Sequence, residues 1–299
     1  MEIQYLGTAA AEGFPAVFCN CAYCKAARAD LMREWRTRSQ MLIDRRLLID
    51  FPSDSYMHAV RAGIDLSAVR TLLVTHSHTD HFYAEEFVNR GYKFAESMQS
   101  SSLDLYGNSE VLAVYHEGTR REMRAEVAEN IRLHETEPFT CFQTDGYDIA
   151  VLPANHTLKE QALLYAVRGD KTLFYLNDTG LPSEECYQFL ADHGFYADIV
   201  SFDCTFADTE GPHSGRHMGF AENEFVRKKL YEYRIIQSDA KYYVTHFSHN
   251  SAPLRERITR EAEKRGFIAA FDGLTIKDHW LAGQKRARPR HDEKDDGRP

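Results

Sequence analysis

The fold is decided by one stretch of the sequence, Val74-Thr75-His76-Ser77-His78-Thr79-Asp80-His81, in which histidines and an aspartate directly follow an apolar run. Imidazole and carboxylate groups suit Zn²⁺, Fe or Mn²⁺, and a loop at the end of a strand can point alternate side chains at one position. We expect His76 and His78 to face one metal ion, and Asp80 and His81 to face a second. The alternative is a polar loop with several titrating histidines, and so compact an arrangement after an apolar strand argues against it.

Two metal ions need more ligands than this loop supplies, so isolated histidines or aspartates are expected at the ends of other strands. His156, Asp178 and His246 each follow an apolar, β-like run. Each of them alone would more often be an ordinary loop residue. Their common position just past a strand favours a shared metal centre.

Length, composition and charge limit the class of protein. A chain of 299 residues with 43% hydrophobic residues can bury a large core, and we expect one large domain. The net charge of −9 disfavours a protein that coats nucleic acid. The N-terminal residues lack a basic start followed by an apolar stretch, and no apolar run approaches the roughly 18 residues of a membrane span. We therefore expect a cytoplasmic protein without a membrane segment that acts on a small substrate.

Short β-like runs alternate with helical stretches, which fits sheets covered by outer helices. The predicted strands are 2–6, 41–50 (two runs around a turn), 70–75, 102–106, 148–152, 162–168, 172–177, 198–203 and 241–245. The predicted helices are 21–36, 55–62, 83–89, 118–127, 183–193, 220–233 and 253–265. From residue 282 the chain has almost no apolar residue, so we predict a folded domain over 1–281 and a disordered charged tail over 282–299.

Three cysteines, Cys19, Cys21 and Cys24, lie close enough in sequence to share one ion. Such a cluster in a chain of this kind suggests metal rather than disulfide, and a tetrahedral structural zinc needs a fourth ligand. His249 is the best candidate because it lies three residues beyond His246, so that one loop could serve both metal sites. The remaining cysteines are expected to be inert core residues; they are Cys141, Cys186 and Cys204.

With these motifs the sequence resembles the metallo-β-lactamase superfamily over nearly the whole chain to about residue 281. The resemblance implies an α/β (α+β) fold, a four-layered αββα sandwich with the metal site along one edge of the sheets. By motif order it implies one metal held by His76, His78 and His156 and another by Asp80, His81 and His246. It also implies that Asp178 bridges the two and that Asp50 supports the histidine-rich loop without binding metal.

Further segments are similar to one branch of that superfamily, the phosphoribosyl 1,2-cyclic phosphate phosphodiesterases of phosphonate degradation. They include the cysteine cluster, Asn177-Asp178-Thr179-Gly180, Thr245-His246-Phe247-Ser248-His249 and Phe271-Asp272-Gly273. The similarity implies a structural zinc at the three cysteines and His249, and a homodimer. It also implies that His217 lies near the scissile phosphate, where it could donate a hydrogen bond or a proton. His213 is a rival for that role.

The predicted activity is that of a dinuclear-metal-dependent phosphodiesterase acting on a small cyclic phosphate or a phosphorylated sugar or nucleotide. Two divalent ions, Zn²⁺ or Mn²⁺, lower the pKa of a bridging water toward neutrality so that it can attack phosphorus. The predicted catalytic residues are His217, Asp80 and Asp178, and candidate phosphate-contacting cations are Arg216, Lys159 and Arg38.

The alternative functions are an ester or lactone hydrolase, an RNA-processing nuclease of the same fold, or a metal-dependent redox protein. The complete histidine cluster and the lack of a second domain argue against redox chemistry. The chain departs from the phosphodiesterase branch at residues 156–162, which lack a small glycine-containing segment after the third histidine. This departure leaves the substrate open.

Overall fold

Two mixed β-sheets form the centre of the structure, a computed structural model that describes residues 1–209, 215–251 and 253–277. The strands of sheet 1 are β1 (Glu2–Gly7), β2 (Gln40–Ile43), β3 (Leu47–Ile49), β4 (Thr71–Leu73), β5 (Leu103–Gly107), β6 (Ile131–Glu135) and β14 (Thr275–Lys277). Their order is β14-β1-β2-β3-β4-β5-β6. The pairs from β14 to β3 are antiparallel, and those from β3 to β6 are parallel.

Sheet 2 is built by the second half of the chain. Its strands are β7 (Thr140–Thr144), β8 (Tyr147–Pro153), β9 (Leu163–Arg168), β10 (Thr172–Leu176), β11 (Ala197–Asp203), β12 (Ile236–Thr245) and β13 (Ile268–Ala269), paired in that order. The pairs from β7 to β10 are antiparallel, and those from β10 to β13 are parallel. As a result β8, β10, β11 and β12 all point the same way, and their carboxyl ends lie at one edge of the sheet.

The helices lie in the connections between strands. The α-helices are α1 (Ala22–Ala29), α2 (Leu31–Glu34), α3 (Ser55–Ala62), α4 (Ser109–Thr119), α5 (Ala125–Ala128), α6 (Glu184–Asp192), α7 (Phe220–Glu232) and α8 (Arg255–Lys264). Short 3-10 helices cover Leu66–Ala68, Ala84–Asn89 and His249–Ser251.

Alternation along the strands sorts apolar side chains into three buried layers, as expected for sheets covered on both faces. Ile149 and Val151 of β8 pack between the sheets against sheet 1 residues such as Ile3 and Met41. Their neighbour Leu152 points to the other face of sheet 2, where it packs with α6, α7 and α8. The outer face of sheet 1 packs against α4 and the 3-10 helix Ala84–Asn89. The layers are therefore helix, sheet, sheet and helix, and the predicted αββα sandwich is confirmed.

The long apolar strands match their predicted positions closely, whereas several other elements differ. Strands β6, β7, β13 and β14 were not predicted, and the expected helix over 118–127 is replaced by α4 and α5. The expected helix over 21–36 is broken into α1 and α2 at Asp30. The α-helix expected over 83–89 is replaced by the 3-10 helix Ala84–Asn89.

Two further sequence predictions concern a membrane span and the end of the folded domain. Within the described residues, no helix is long and apolar enough to cross a membrane. The end of the predicted domain at residue 281 and the predicted tail over 282–299 lie outside the described residues.

Candidate metal centre

The predicted ligands meet where strands of both sheets end. The loop after β4 carries His76, His78, Asp80 and His81, and His156 follows β8. Asp178 lies two residues after the end of β10, and His246 directly follows β12. Since the parallel strands end at the same edge, these loops converge although residues 76 and 246 are far apart in sequence. The structure thus brings together all seven residues that the sequence singled out for the dinuclear site.

The ligand atoms fall into two groups that share Asp178. In each group the ligand atoms lie within 4.8 Å of one another. The first group is His76, His78, His156 and Asp178. The second group is Asp80, His81, His246 and Asp178. This division matches the predicted pairs of metal positions, while the ligand roles themselves stay predictions.

The two carboxylate oxygens of Asp178 face different histidines. Its Oδ2 lies 3.3 Å from His76 Nε2, 3.1 Å from His81 Nε2 and 3.8 Å from His246 Nε2. Its Oδ1 lies 3.1 Å from His156 Nδ1. Asp178 is 3% exposed, so the carboxylate is available to groups inside the site rather than to bulk solvent.

The backbone holds three residues of this edge in an unusual conformation. Asp50, Asp178 and His246 have φ values of 64°, 53° and 62°, in the left-handed region that residues other than glycine rarely adopt. Asp50 and His246 come directly after the ends of β3 and β12, and Asp178 lies two residues after β10, so each is in a turn that leaves a strand. Such strained positions cluster at functional sites.

Unpaired buried atoms show that the donor set fits divalent cations. Four of the buried atoms that make no hydrogen bond to any described residue belong to this site: His81 Nε2, His156 Nδ1, Asp178 Oδ1 and His246 Nε2. Buried polar atoms are otherwise almost always paired. Imidazole nitrogens and a carboxylate oxygen converging without partners are what divalent metal ions require, although this ligand set does not select one metal.

Asp50 has the supporting position that the resemblance implied. Its Oδ2 lies 2.7 Å from His81 Nδ1, and its Oδ1 accepts hydrogen bonds from the backbone N and Oγ1 of Thr75 at 2.8 and 2.9 Å. A carboxylate on Nδ1 fixes the ring and leaves Nε2 directed at a metal.

A second supporting carboxylate, Asp203, was not recognised as a site residue from the sequence. Its Oδ2 lies 3.1 Å from His217 Nδ1 and 3.4 Å from His246 Nδ1. Thr205 completes this arrangement with its Oγ1 2.8 Å from His246 Nδ1. Asp203 ends the apolar strand β11, so the signal that identified Asp178 would also have found it.

His217 lies beside the shared carboxylate. Its Nδ1 is 3.1 Å from Asp178 Oδ1, and its side chain is 22% exposed, which leaves part of the ring open to solvent. Although burial opposes protonation, Asp203 and Asp178 raise the pKa of His217 to about 10. The rival residue His213 lies outside the described residues.

The pKa values of the predicted ligands shift in both directions: against the effect of burial, neighbouring aspartates raise the pKa of His81 and of His246. The pKa of Asp178 lies well below its usual range because His246, His217, His76 and His81 outweigh the effect of burial. By contrast, burial lowers the pKa of His156 to about 4 despite the nearby Asp178. An ionised carboxylate and a neutral imidazole are the forms in which both groups bind metal.

The cysteine cluster forms a separate group with His249. The Sγ atoms of Cys21 and Cys24 lie 3.7 and 3.8 Å from His249 Nδ1, and Cys19 completes the set. A hydrogen bond from His249 and one from the backbone of Cys24 lower the pKa of Cys21 to about 6. Thiolate character suits a metal ligand, so the group fits the predicted structural zinc.

One sequence expectation about a single residue is wrong. Cys141 is exposed rather than buried, because it lies on the edge strand β7, whereas Cys186 and Cys204 are buried as expected. Arg38 pairs with Asp54 at 3.0 Å and donates to Ala11 O, so its guanidinium is already engaged in the protein. The other candidate cations, Arg216 and Lys159, are exposed.

The protein has the metallo-β-lactamase fold, as the sequence predicted. The chain belongs to the family described as Anti-Pycsar protein Apyc1, whose family model matches residues 36–255. No curated protein matches the chain.

Solved structures similar to this chain share its fold over nearly its whole length. A diphosphatase from the PhnP family is 22% identical, covering 93% of this chain and 98% of its own, with a TM-score of 0.69. Zn²⁺-bound PqqB from Methylobacterium extorquens is 19% identical, covering 93% and 100%, with a TM-score of 0.68. Human tRNase Z, short form, is 14% identical, covering 93% and 99%, with a TM-score of 0.64.

Proposed function

We propose that the protein is a dinuclear-metal-dependent phosphodiesterase that acts on a small cyclic phosphate or a phosphorylated sugar or nucleotide. The observation that carries the proposal is the pair of ligand groups joined by the single buried carboxylate of Asp178. Two divalent ions at such a site supply a nucleophile from water at neutral pH and offset charge on the phosphoryl oxygens.

The residues of the chain have distinct roles in this proposal. His76, His78 and His156 would hold one ion, Asp80, His81 and His246 would hold the other, and Asp178 would contribute to both groups. The ring of His217 is held through Nδ1 by a hydrogen bond to Asp203 Oδ2 at 3.1 Å, so its other nitrogen is the one available to the substrate. From there His217 donates a hydrogen bond to the phosphate or a proton to the leaving oxygen.

The kind of substrate is supported by the neighbours and by charge. A diphosphatase and a tRNase Z, both named for substrates that contain phosphate, share this fold. The net charge of −9 disfavours a long nucleic acid, because binding to many phosphates relies on lysine and arginine. A small phosphodiester is therefore favoured over RNA.

The test combines metal analysis with hydrolysis of bis(p-nitrophenyl) phosphate and of cyclic nucleotides. We expect about three metal ions per chain, two in the dinuclear site and one zinc at the cysteines. Asp178→Ala should abolish hydrolysis and lose the dinuclear ions, whereas Cys21→Ser should lose one zinc. Asp239→Ala, which removes an exposed carboxylate, is the matched control and should behave as wild type.

A fully metallated protein that hydrolyses no phosphodiester would contradict the proposal. Activity toward esters or lactones under the same conditions would then assign the chain to the alternative hydrolase class. Metal-dependent electron transfer without hydrolysis would assign it to redox chemistry.

A further inference from the structure

The two loops that carry the first ligand group are joined by a carboxylate that is not itself a predicted ligand. Glu160 accepts hydrogen bonds from Ser77, at 2.6 Å from Oγ and 3.1 Å from the backbone N. Ser77 lies between His76 and His78, and Glu160 lies four residues after His156. The contact therefore links the loop of two first-group histidines to the loop of the third.

Asn108 anchors this link to a helix. Its Nδ2 donates to Glu160 Oε2 and to the carbonyl of Gln161, both at 2.8 Å. Its Oδ1 accepts from the backbone N of Val111 at 2.9 Å and so caps the N-terminus of α4. Because Asn108 is 5% exposed and engaged at both ends, it gives Glu160 a rigid partner.

The loop that carries His156 is held on its N-terminal side by Asn155, whose backbone N donates to Thr179 Oγ1 at 2.9 Å and whose carbonyl accepts from Gly180 N at 2.8 Å. Residues 154–161 form no helix or strand, and a hydrogen bond from Ala154 N to Ala162 O closes the loop at its base. His156 itself is near the surface of the site, with its side chain 10% exposed. Glu160 is thus placed to fix the far end of this loop against the His76–His78 turn.

We propose that Glu160 is a positioning residue that selectively sets the affinity of the first metal position, the one lined by His76, His78 and His156. The inference rests on the proposed function, since it assumes that this group binds metal. The second group is supported elsewhere, by Asp50 at His81 and by Thr205 and Asp203 at His246. Loss of Glu160 therefore affects one position and spares the other.

The expected change in metal affinity on substitution of Glu160 can be taken from other metal sites. Residues that orient metal ligands typically change metal affinity by about 10-fold to 100-fold when they are substituted. Glu160→Gln keeps the shape of the side chain but removes its charge and one of its acceptor oxygens. The first position should then bind about 10-fold to 100-fold more weakly.

The experiment is a titration of the metal-free dinuclear site with Co²⁺, followed by visible absorption and by competition with a chelator. Absorption bands of thiolate-bound cobalt identify the cysteine site separately. Wild type should show two affinities at the dinuclear site, and Glu160→Gln should weaken one of them. Glu110→Gln, which removes an exposed carboxylate from the first turn of α4, is the matched control and should leave both unchanged.

Ser77→Ala provides a second route to the same contact. The effects of Ser77→Ala and Glu160→Gln on metal affinity should be non-additive in the double variant, because both substitutions remove the same hydrogen bond. Equal weakening of both metal positions, or wild-type affinities in Glu160→Gln, would overturn the inference while leaving the proposed function intact. A wild-type protein that binds no metal at the histidine cluster would instead overturn the proposed function, and this inference with it.

Discussion

The buried pair of Asp50 and His81 shows how a residue outside the ligand set can control the site. Both side chains are fully buried, and their 2.7 Å contact fixes the imidazole that faces the second metal position. The same carboxylate binds the backbone and hydroxyl of Thr75 at the end of β4. The orientation of His81 thus depends on the junction between the strand and the histidine-rich loop.

We expect Asp50→Asn to weaken metal binding at the second position by about 10-fold to 100-fold, because the amide replaces a charged acceptor on the ring nitrogen. Metal content after dialysis against a weak chelator would measure the loss. Asp239→Asn serves as the control for removal of one carboxylate. Retention of both ions by Asp50→Asn under dialysis that leaves wild type fully loaded would show that Asp50 does not orient this ligand.

At this scale the sequence identified much of the site, and its omissions have a physical cause. His76, His156 and Asp178 were found because each follows an apolar strand, a signal that needs no knowledge of distant contacts. Glu160 lies in an irregular loop, and its partner Ser77 is 83 residues away, so only the folded chain reveals the link. Asp203 had the strand-end signal and was overlooked among the other aspartates.

Among the elements, β5 and β6 illustrate how a polar pair stabilises a parallel edge of sheet 1. Asp104 and Arg132 are register partners, and their side chains meet at 2.6 Å. Hydrogen bonds from Arg132 and His134 lower the pKa of Asp104 below its usual value. The pair is partly exposed, with Arg132 54% accessible, so solvent screening limits its contribution to stability.

Because the folded pKa of Asp104 is depressed, its contribution is present above the pKa of the unfolded chain and is lost as pH falls through the folded value. Asp104→Asn should therefore lower the free energy of unfolding by up to about 1 kcal/mol at pH 7. The difference from wild type should shrink as pH falls below about 4. Urea unfolding of both proteins at pH 7 and at a pH below about 4 would measure this difference in the free energy of unfolding. An equal loss of stability at the two pH values would show that the charge of Asp104 is not responsible.

Three of the four strands that the sequence missed, β7, β13 and β14, have weak local patterns. Strand β13 has two residues and β14 has three, too few for any periodicity to be visible. Strand β7 has the mostly polar sequence Thr140-Cys141-Phe142-Gln143-Thr144, which forms a strand only because β8 pairs with it. Helix α4 did carry a start signal, since Asn108 is a favourable N-cap residue.

For the whole molecule, the metal centre joins the two sheets. Its predicted ligands come from loops of sheet 1 and of sheet 2, so the complete site exists only when both halves are folded together. A ligand that binds the folded state alone adds to stability by mass action. Metal occupancy and global unfolding should therefore be coupled.

Removal of the metal ions should lower the melting temperature measurably. Saturation at about 1,000 times the dissociation constant adds about 4 kcal/mol of stability. This corresponds to roughly 6 to 7 °C, because an unfolding entropy of about 2.1 cal/mol/K per residue amounts to about 0.6 kcal/mol/K over the 299 residues of the chain. Calorimetry of metal-free protein with increasing Zn²⁺ would follow the rise. In Asp178→Ala the rise should be much smaller, and an equal rise in both proteins would place the stabilising ion outside the dinuclear site.

The order of strand pairing has a consequence for how the chain is made. Both sheets repeat three antiparallel contacts followed by three parallel ones, but sheet 2 uses seven successive strands, whereas sheet 1 takes its first strand, β14, from residues 275–277. The two sheets therefore have the same pattern of strand directions, but the first strand of sheet 1 lies at the end of the described chain instead of before β1. During synthesis on the ribosome, β1 emerges first and its outer edge stays open until nearly the whole described chain has been translated. Closure of the N-terminal sheet is therefore among the last steps available to the nascent protein.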